Sequence, residues 1–279
     1  MEGLIVKNIS DLFYIVSDNS TYICKAKGVF RKKNIIPMVG DKVIFDEKKL
    51  IITNILNRKN KLIRPPICNI DQAIVVMSVV NPLFSSNLID KFINIIEFNN
   101  IKPIICLTKL DLINNENDIN KYIDYYKNIG YEVIINTEIN KIKSIISNKI
   151  TVITGQSGVG KSSLLNKLDS SLQLKTNDIS YALNRGKHTT RHVTLIPLFN
   201  GYVADTPGFS SLSFNEMKKE DIRDNMIEFN LYKDKCKYRD CMHIKEEDCE
   251  IKRLVNEGII LKSRYENYIK FVNEIKSTY

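Results

Sequence analysis

Gly155-Gln156-Ser157-Gly158-Val159-Gly160-Lys161-Ser162 matches the pattern G-x-x-x-x-G-K-[ST] at every fixed position. The short apolar run 151–154 precedes it and a helix-compatible stretch, 162–168, follows it. That is the strand–loop–helix setting the pattern requires. Glycines let backbone amides turn inward around phosphate oxygens, and the helix N-terminus adds positive potential at the same point. Lys161 would neutralise the β- and γ-phosphates, which makes it a catalytic as well as a binding residue. The Ser162 hydroxyl would coordinate Mg²⁺. Ser163 completes the nucleotide-binding stretch.

Downstream, Asp205-Thr206-Pro207-Gly208 ends a second apolar run, 202–204. An Asp at the edge of a buried strand assists a metal, and the Gly208 amide would meet the γ-phosphate. Upstream, Thr108-Lys109-Leu110-Asp111 follows the apolar run 104–107 and has the form of an [NT]-K-x-D guanine-reading element. Guanine presents its N1–H and 2-amino group as two parallel donors, which suit the acceptor-only carboxylate of Asp111. Adenine has no such pair. Lys109 would lay its stem across the ring, with Thr108 and Leu110 completing the turn.

The order of these elements is permuted: the base-reading turn comes before the phosphate loop, not after it. Function requires only that the loops converge at the C-terminal edge of a parallel sheet. Between the phosphate loop and the DTPG run lies Asn184-Arg185-Gly186-Lys187-His188-Thr189-Thr190-Arg191-His192. A switch that senses γ-phosphate needs a threonine on Mg²⁺; Thr189 and Thr190 are the candidates, with Thr190 taken as the Mg²⁺ ligand. Phe209 stands where many such enzymes place a water-orienting glutamine. His188 is the candidate catalytic substitute, against the alternative of a basic loop residue touching RNA.

Cys236-x4-Cys241-x-His243-x5-Cys249 brings three thiols and one imidazole within a compact stretch. Soft sulfur plus nitrogen suits tetrahedral Zn²⁺, and four protein ligands leave no place for a reacting water. The site is therefore read as structural. Lys235, Lys237, Arg239, Lys245, Lys252 and Arg253 surround it and would give it a basic face.

Three segments emerge. Residues 1–65 hold short strand-like stretches, among them 22–26, 42–45 and 50–52, in the manner of a small OB-like β-barrel. Arg64-Pro65-Pro66 reads as a linker. Residues 66–212 alternate strands (73–80, 104–107, 133–135, 151–154, 202–204) with helices, one of them capped by Ser86 with Leu88, Phe92, Ile95 and Ile96 on its apolar face. Residues 213–279 are charged and helical, with Tyr265, Tyr268, Ile269 and Val272 at core-packing spacing. The chain has 279 residues, 43% of them hydrophobic and 26% charged, with a net charge of +9. That is ordinary globular composition with room for a polyanionic partner. No apolar run is long enough to span a bilayer, and the start, MEGLIVKNIS, has no secretory signal pattern, so a cytoplasmic location is expected.

With TKLD, GQSGVGKSS, RGKHTTRH, DTPGF and the cysteine–histidine cluster in this order, the chain closely resembles the ribosome small-subunit-dependent GTPase A (RsgA) family over essentially its whole length. The resemblance implies an OB domain, a circularly permuted α/β P-loop GTPase domain and a helical zinc-binding domain. It also implies a monomeric factor that uses GTP, Mg²⁺ and Zn²⁺. Such a factor binds the small ribosomal subunit and its rRNA late in assembly, and the subunit stimulates hydrolysis that is coupled to release. The hydrophobic residue that replaces the family's catalytic glutamine maps to Phe209, and its switch histidine maps to His188. Two other readings stay open: a nucleotide-gated RNA-binding module with incidental hydrolysis, and a P-loop ATPase or small-molecule kinase, which TKLD disfavours.

Overall fold

Alternating apolar and polar residues over Glu2–Ile9 (β1), Leu12–Ser17 (β2) and Ser20–Ala26 (β3) form an antiparallel meander. Asp18 and Asn19, both at positive φ (45° and 63°), make the tight turn between β2 and β3; Asp and Asn tolerate that geometry and it matches the strand twist. A short helix, Gly28–Lys32 (α1), leads to Lys42–Asp46 (β4) and Ile51–Ile55 (β5). β3 runs parallel to β5, β5 pairs antiparallel with β4, and β4 returns to β1. The ring β1-β2-β3-β5-β4 is thus a closed five-stranded barrel without a free edge, filled by Ile5, Phe13, Ile15, Val43, Phe45 and Ile52. Leu50, expected to open a strand, instead lies exposed in the turn before β5 with φ of 53°.

The coordinates are a computed structural model, and the structure describes residues 1–32, 35–63, 65–113, 117–172, 193–205 and 213–275. Beyond the barrel come a small ribbon, Lys61–Leu62 (β6) with Ile67–Cys68 (β7), then Gln72–Ser78 (β8), Ser86–Phe98 (α2), Lys102–Thr108 (β9), Asn117–Asn128 (α3) and Glu132–Ile135 (β10). Ile139–Ile146 (α4), Ile150–Thr154 (β11), Lys161–Leu168 (α5), Thr194–Leu198 (β12) and Gly201–Asp205 (β13) follow. The helices Lys219–Asp224 (α6), Ile227–Tyr232 (α7), Glu250–Asn256 (α8) and Lys262–Glu274 (α9) close the chain.

These elements form two compact units, Met1–Val76 with Ile135–Ser211, and Met77–Ile134 with Leu212–Tyr279. In the first, β8 pairs parallel with β11, and β11 pairs parallel with β13. β13 pairs antiparallel with β12, and β12 meets barrel strand β1. β8 and β11 are buried along their whole length, which explains the apolar run Ala73–Met77 of β8; the buried polar residues Gln72 and Thr151 bond to each other across the two strands.

In the second unit, β9 and β10 continue beside the end of β8, with α2 and α3 packed among Met77, Ile89, Ile93, Ile105, Leu107 and Tyr126. α2 begins one residue earlier than its sequence suggests: Ser85, not Ser86, is the cap, and its hydroxyl accepts the Leu88 amide. Its buried face is also rotated. Ile89, Phe92, Ile93 and Ile96 are buried, whereas Leu88 and Ile95 are only partly so. The reason is polar: Asp90 and Asn94 belong to the buried face, bonded to Arg264 and to the Ile222 carbonyl respectively. An apolar-stripe reading overlooks both. Of the four residues the spacing put in the core, Tyr268 and Val272 of α9 are buried with Ile222, Phe229 and Leu254, whereas Tyr265 and Ile269 are only partly so, and Phe271, which the spacing left out, is fully buried.

Candidate functional site

The phosphate loop leaves β11 with a run of conformations that only glycine holds comfortably. Gly155, Gly158 and Gly160 have φ of 139°, 81° and 97°. At Gly155 an added Cβ would lie 2.1 Å from the Val76 carbonyl oxygen, so any other side chain would push the loop off β8. Val159 is fully buried and anchors the loop from below, while Gln156, Ser157 and Gly158 are exposed. α5 starts at Lys161, one residue before the expected start, and Ser162 is buried in its first turn with Ser163 turned outward.

The Lys161 ammonium folds over its own loop, donating to the carbonyls of Gly155 and Gln156, each at 2.7 Å. Burial pushes its pKa down to about 8. A half-buried cation held by carbonyl dipoles is short of negative charge, and a phosphate would supply it. Ser162 at the helix start and Asp205 at the end of β13 are oxygen donors of the kind Mg²⁺ takes. β13 runs in register with β11, Val152 beside Ala204, so Asp205 is delivered to the strand end next to the one carrying the loop. His188, Thr189, Thr190 and Gly208, with Phe209, lie outside the described residues.

In the second unit Thr108 ends β9, buried, with its carbonyl accepting the Val79 amide at 3.1 Å. Lys109 takes a left-handed conformation (φ 61°), which turns the chain sharply into the short 3-10 helix Leu110–Leu112. Its ammonium donates to the Asn81 carbonyl. Asp111 is exposed in the first turn of that helix.

Cys236, Cys241, His243 and Cys249 converge, with one ligand atom from each all within 4.8 Å of one another. His243 Nδ1 lies 3.6 Å from Cys236 Sγ and 3.3 Å from Cys249 Sγ. The edges of a ZnS₃N tetrahedron are roughly 3.5–3.8 Å by the usual bond lengths, so the donors fit the ion in kind and number, and the two His243 distances lie close to its edges. Burial pushes the Cys241 thiol up to about 12 and the His243 imidazole down to about 4.

Glu246, which the sequence did not single out, and the hydroxyls of two tyrosines that it placed only in the core brace this loop. Glu246 accepts the amides of Met242, Ile244 and Lys245. The hydroxyls of Tyr265 and Tyr268 donate to the His243 and Met242 carbonyls. Only the short range of Glu246 from the ligands would have hinted at its part. The basic face is partly neutralised: Lys237 pairs with Asp248, Arg253 with Glu250 and Glu257, and Lys252 donates to the Glu246 carbonyl.

Comparison with known proteins bears on the whole chain. The model of the RsgA GTPase domain matches residues 55–215, and that of the RsgA N-terminal domain matches residues 2–50. The small ribosomal subunit biogenesis GTPase RsgA 2 of Oceanobacillus iheyensis is 46% identical over 286 residues, spanning 99% of this chain and 98% of that protein. The RsgA of Enterococcus faecalis is 45% identical over 285 residues, spanning 99% of this chain and 96% of its own. Among solved structures, YloQ, a circularly permuted GTPase, matches with a TM-score of 0.84 at 39% identity, covering 100% of this chain and 96% of YloQ. YjeQ from Thermotoga maritima matches at 0.82 and 33% identity, covering 98% and 97%. The chain belongs to the RsgA family of circularly permuted GTPases.

Proposed function

We propose that this GTP hydrolase acts in the biogenesis of the small ribosomal subunit, binding the subunit and its rRNA late in assembly and leaving when the subunit stimulates hydrolysis. The distribution of charge carries the reading. Residues 1–76 hold 13 Lys and Arg against 7 Asp and Glu, whereas residues 212–279 hold 14 of each. A polyanion is therefore met by the barrel and not by the metal loop. The names of the relatives, small ribosomal subunit biogenesis GTPases, point the same way.

Within this reading Asp111 takes the N1–H and 2-amino group of guanine and Lys109 covers the ring, with Thr108 and Leu110 setting the turn. The amides from Gly155 to Ser163, by way of Gln156, Ser157, Gly158, Val159 and Gly160, wrap the phosphates, and Lys161 neutralises them. Ser162 and Thr190 would hold Mg²⁺ with Asp205 assisting, and the ion would offset charge on the β- and γ-oxygens. Thr189 and the Gly208 amide contact the γ-phosphate, and His188 orients the attacking water in place of the glutamine replaced by Phe209. Cys236, Cys241, His243 and Cys249 would hold Zn²⁺, which ties α8 to the preceding loop. The segments 1–65, 66–212 and 213–279 are the barrel, GTPase and zinc-binding parts of a cytoplasmic monomer.

GTP turnover by the purified protein, with and without small ribosomal subunits and with ATP as control, tests this. Stimulation of at least tenfold, confined to GTP, is the expected result. GTP binding without stimulation would remove the subunit as activator and leave a different RNA or protein partner to be sought.

A further inference from the structure

We propose that barrel strand β1 positions Asp205 through Thr194, so that what binds the barrel is felt at the metal-assisting aspartate. This rests on the reading of Asp205 given above and adds its regulation. β1 belongs to two structures at once. Glu2, Gly3 and Leu4 pair with β4 and close the barrel, while Lys7 pairs with Thr194 of β12. The register of β1 against β2 shifts between Ile5 and Lys7. Such a bulge bends a strand and increases its local twist, and here it marks where β1 passes from the barrel ring to β12.

Thr194 in turn has Lys7 opposite it on one side and Asp205 on the other. Tyr14 lies across from Lys7 on the far side. Tyr14, Lys7, Thr194 and Asp205 therefore form one row across four consecutive strands, and the last of these strands adjoins β11, which carries the phosphate loop.

A second tie keeps the barrel from swinging on its linker. Buried Asp41 accepts Arg58 through both carboxylate oxygens at 2.7 Å and the Cys68 thiol at 3.1 Å. The Asn69 side chain donates to the Gly40 carbonyl at 2.8 Å. Gly40 is so close to β7 that an added Cβ would lie 2.0 Å from the Cys68 carbonyl oxygen. β7 runs on into β8. Strands in a ladder keep a spacing of about 4.8 Å, so a shift of the barrel cannot be absorbed at a flexible joint and reaches β12.

Amide hydrogen exchange on the full chain, with GDP and then with a non-hydrolysable GTP analogue, tests the coupling without any partner. Lys7 and Asn8 are expected to change protection together with Leu195 and Ile196, by about fivefold or more, while Tyr22–Cys24 on the far barrel wall stay constant. Changes in β12 with none in β1 would overturn the proposal.

A second arm uses Lys7→Pro, which should raise the Mg²⁺ concentration for half-maximal GTP turnover about tenfold and leave GDP affinity in EDTA within twofold. An unchanged Mg²⁺ requirement with intact GDP binding would overturn it; a variant that fails to fold leaves the exchange result to decide. Asp205→Asn separates the two levels. If it shifts the Mg²⁺ requirement and Lys7→Pro does not, the seam alone fails. If Asp205→Asn has no effect, the reading of Asp205 fails with it.

Discussion

Arg58 in the first unit meets one buried carboxylate, Asp41, whereas Arg264 in the second meets two, Asp90 and Glu228. Arg58 keeps 21% of its side chain in solvent and Arg264 only 1%. The first unit is held chiefly by main-chain pairing, with a closed barrel ring and the β1–β12 seam, and its arginine is an accessory. The second is held by side chains. Arg264 of α9 reaches Asp90 of α2 at 2.6 Å and Glu228 of α7 at 2.7 Å. Asn267 and Tyr126 complete the shell of Asp90. Burial pushes the Asp90 carboxyl up despite the guanidinium and the donors beside it. Backbone ladders spread their stability over many small bonds. A buried ionic knot and a cysteine–histidine cluster concentrate it in a few atoms, so the two units should fail differently.

The largest expected effect is removal of the Zn²⁺ that Cys236, Cys241, His243 and Cys249 are proposed to hold. On the order of 10 kcal/mol of metal-binding free energy is tied to folding in such sites. Chelation or Cys249→Ser should therefore abolish the structure of the metal loop and α8 while the barrel stays folded. Metal content by emission spectroscopy and amide exchange resolved along the chain would show it; simultaneous loss of both units would break the comparison.

Next, Arg264→Met strands two buried carboxylates and should cost about 3–5 kcal/mol. Arg58→Met should cost about 1–3 kcal/mol, because Asp41 keeps the Met38 amide and the Cys68 thiol as donors. Denaturant midpoints of the two variants measure the ratio, and equal losses would contradict the argument.

Gly155→Ala tests the first unit where its main chain is most constrained. With a Cβ directed at the Val76 carbonyl, GTP affinity should fall at least about 100-fold, or roughly 2.7 kcal/mol. The zinc content should not change. Titration calorimetry would decide it, and an unchanged affinity would mean the loop can leave β8 freely.

The smallest effect concerns Lys161. Its pKa of about 8 means the free protein loses the charge as pH rises through that value. Bound phosphate favours the charged form, so above pH 8 the nucleotide must bind together with a proton. Affinity for GTP should be flat below pH 8 and weaken by up to tenfold per unit above it, about 1.4 kcal/mol. A flat profile to pH 9 would remove the desolvated-lysine account of the loop.

Several parts of this molecule were legible before any coordinates. The phosphate loop, the TKLD turn and the Cys-Cys-His-Cys cluster each draw their chemistry from a few neighbouring residues, so spacing alone names them. Glycines at positive φ, an Asp at a strand end and thiols a few residues apart are local requirements. The barrel was legible in kind, because short alternating strands have few other uses, but its closure was not. β1 and β12 offered no motif, and what matters about them is which strand each lies beside.

The sequence by itself determined the family, the permuted order of its motifs and the compact spacing of Cys236, Cys241, His243 and Cys249, because bond geometry over short spans leaves little freedom. Only the tertiary structure decided that Lys7 stands opposite Thr194, that Asp90 and Glu228 share Arg264, and that Ser85 caps α2. The first two join residues far apart in the chain. Their pairing is selected by the burial of whole strands and helices, a property of the folded surface area that no local pattern encodes. The cap is local, but two adjacent serines offer the same oxygen, and only the direction in which the chain enters the helix chooses between them.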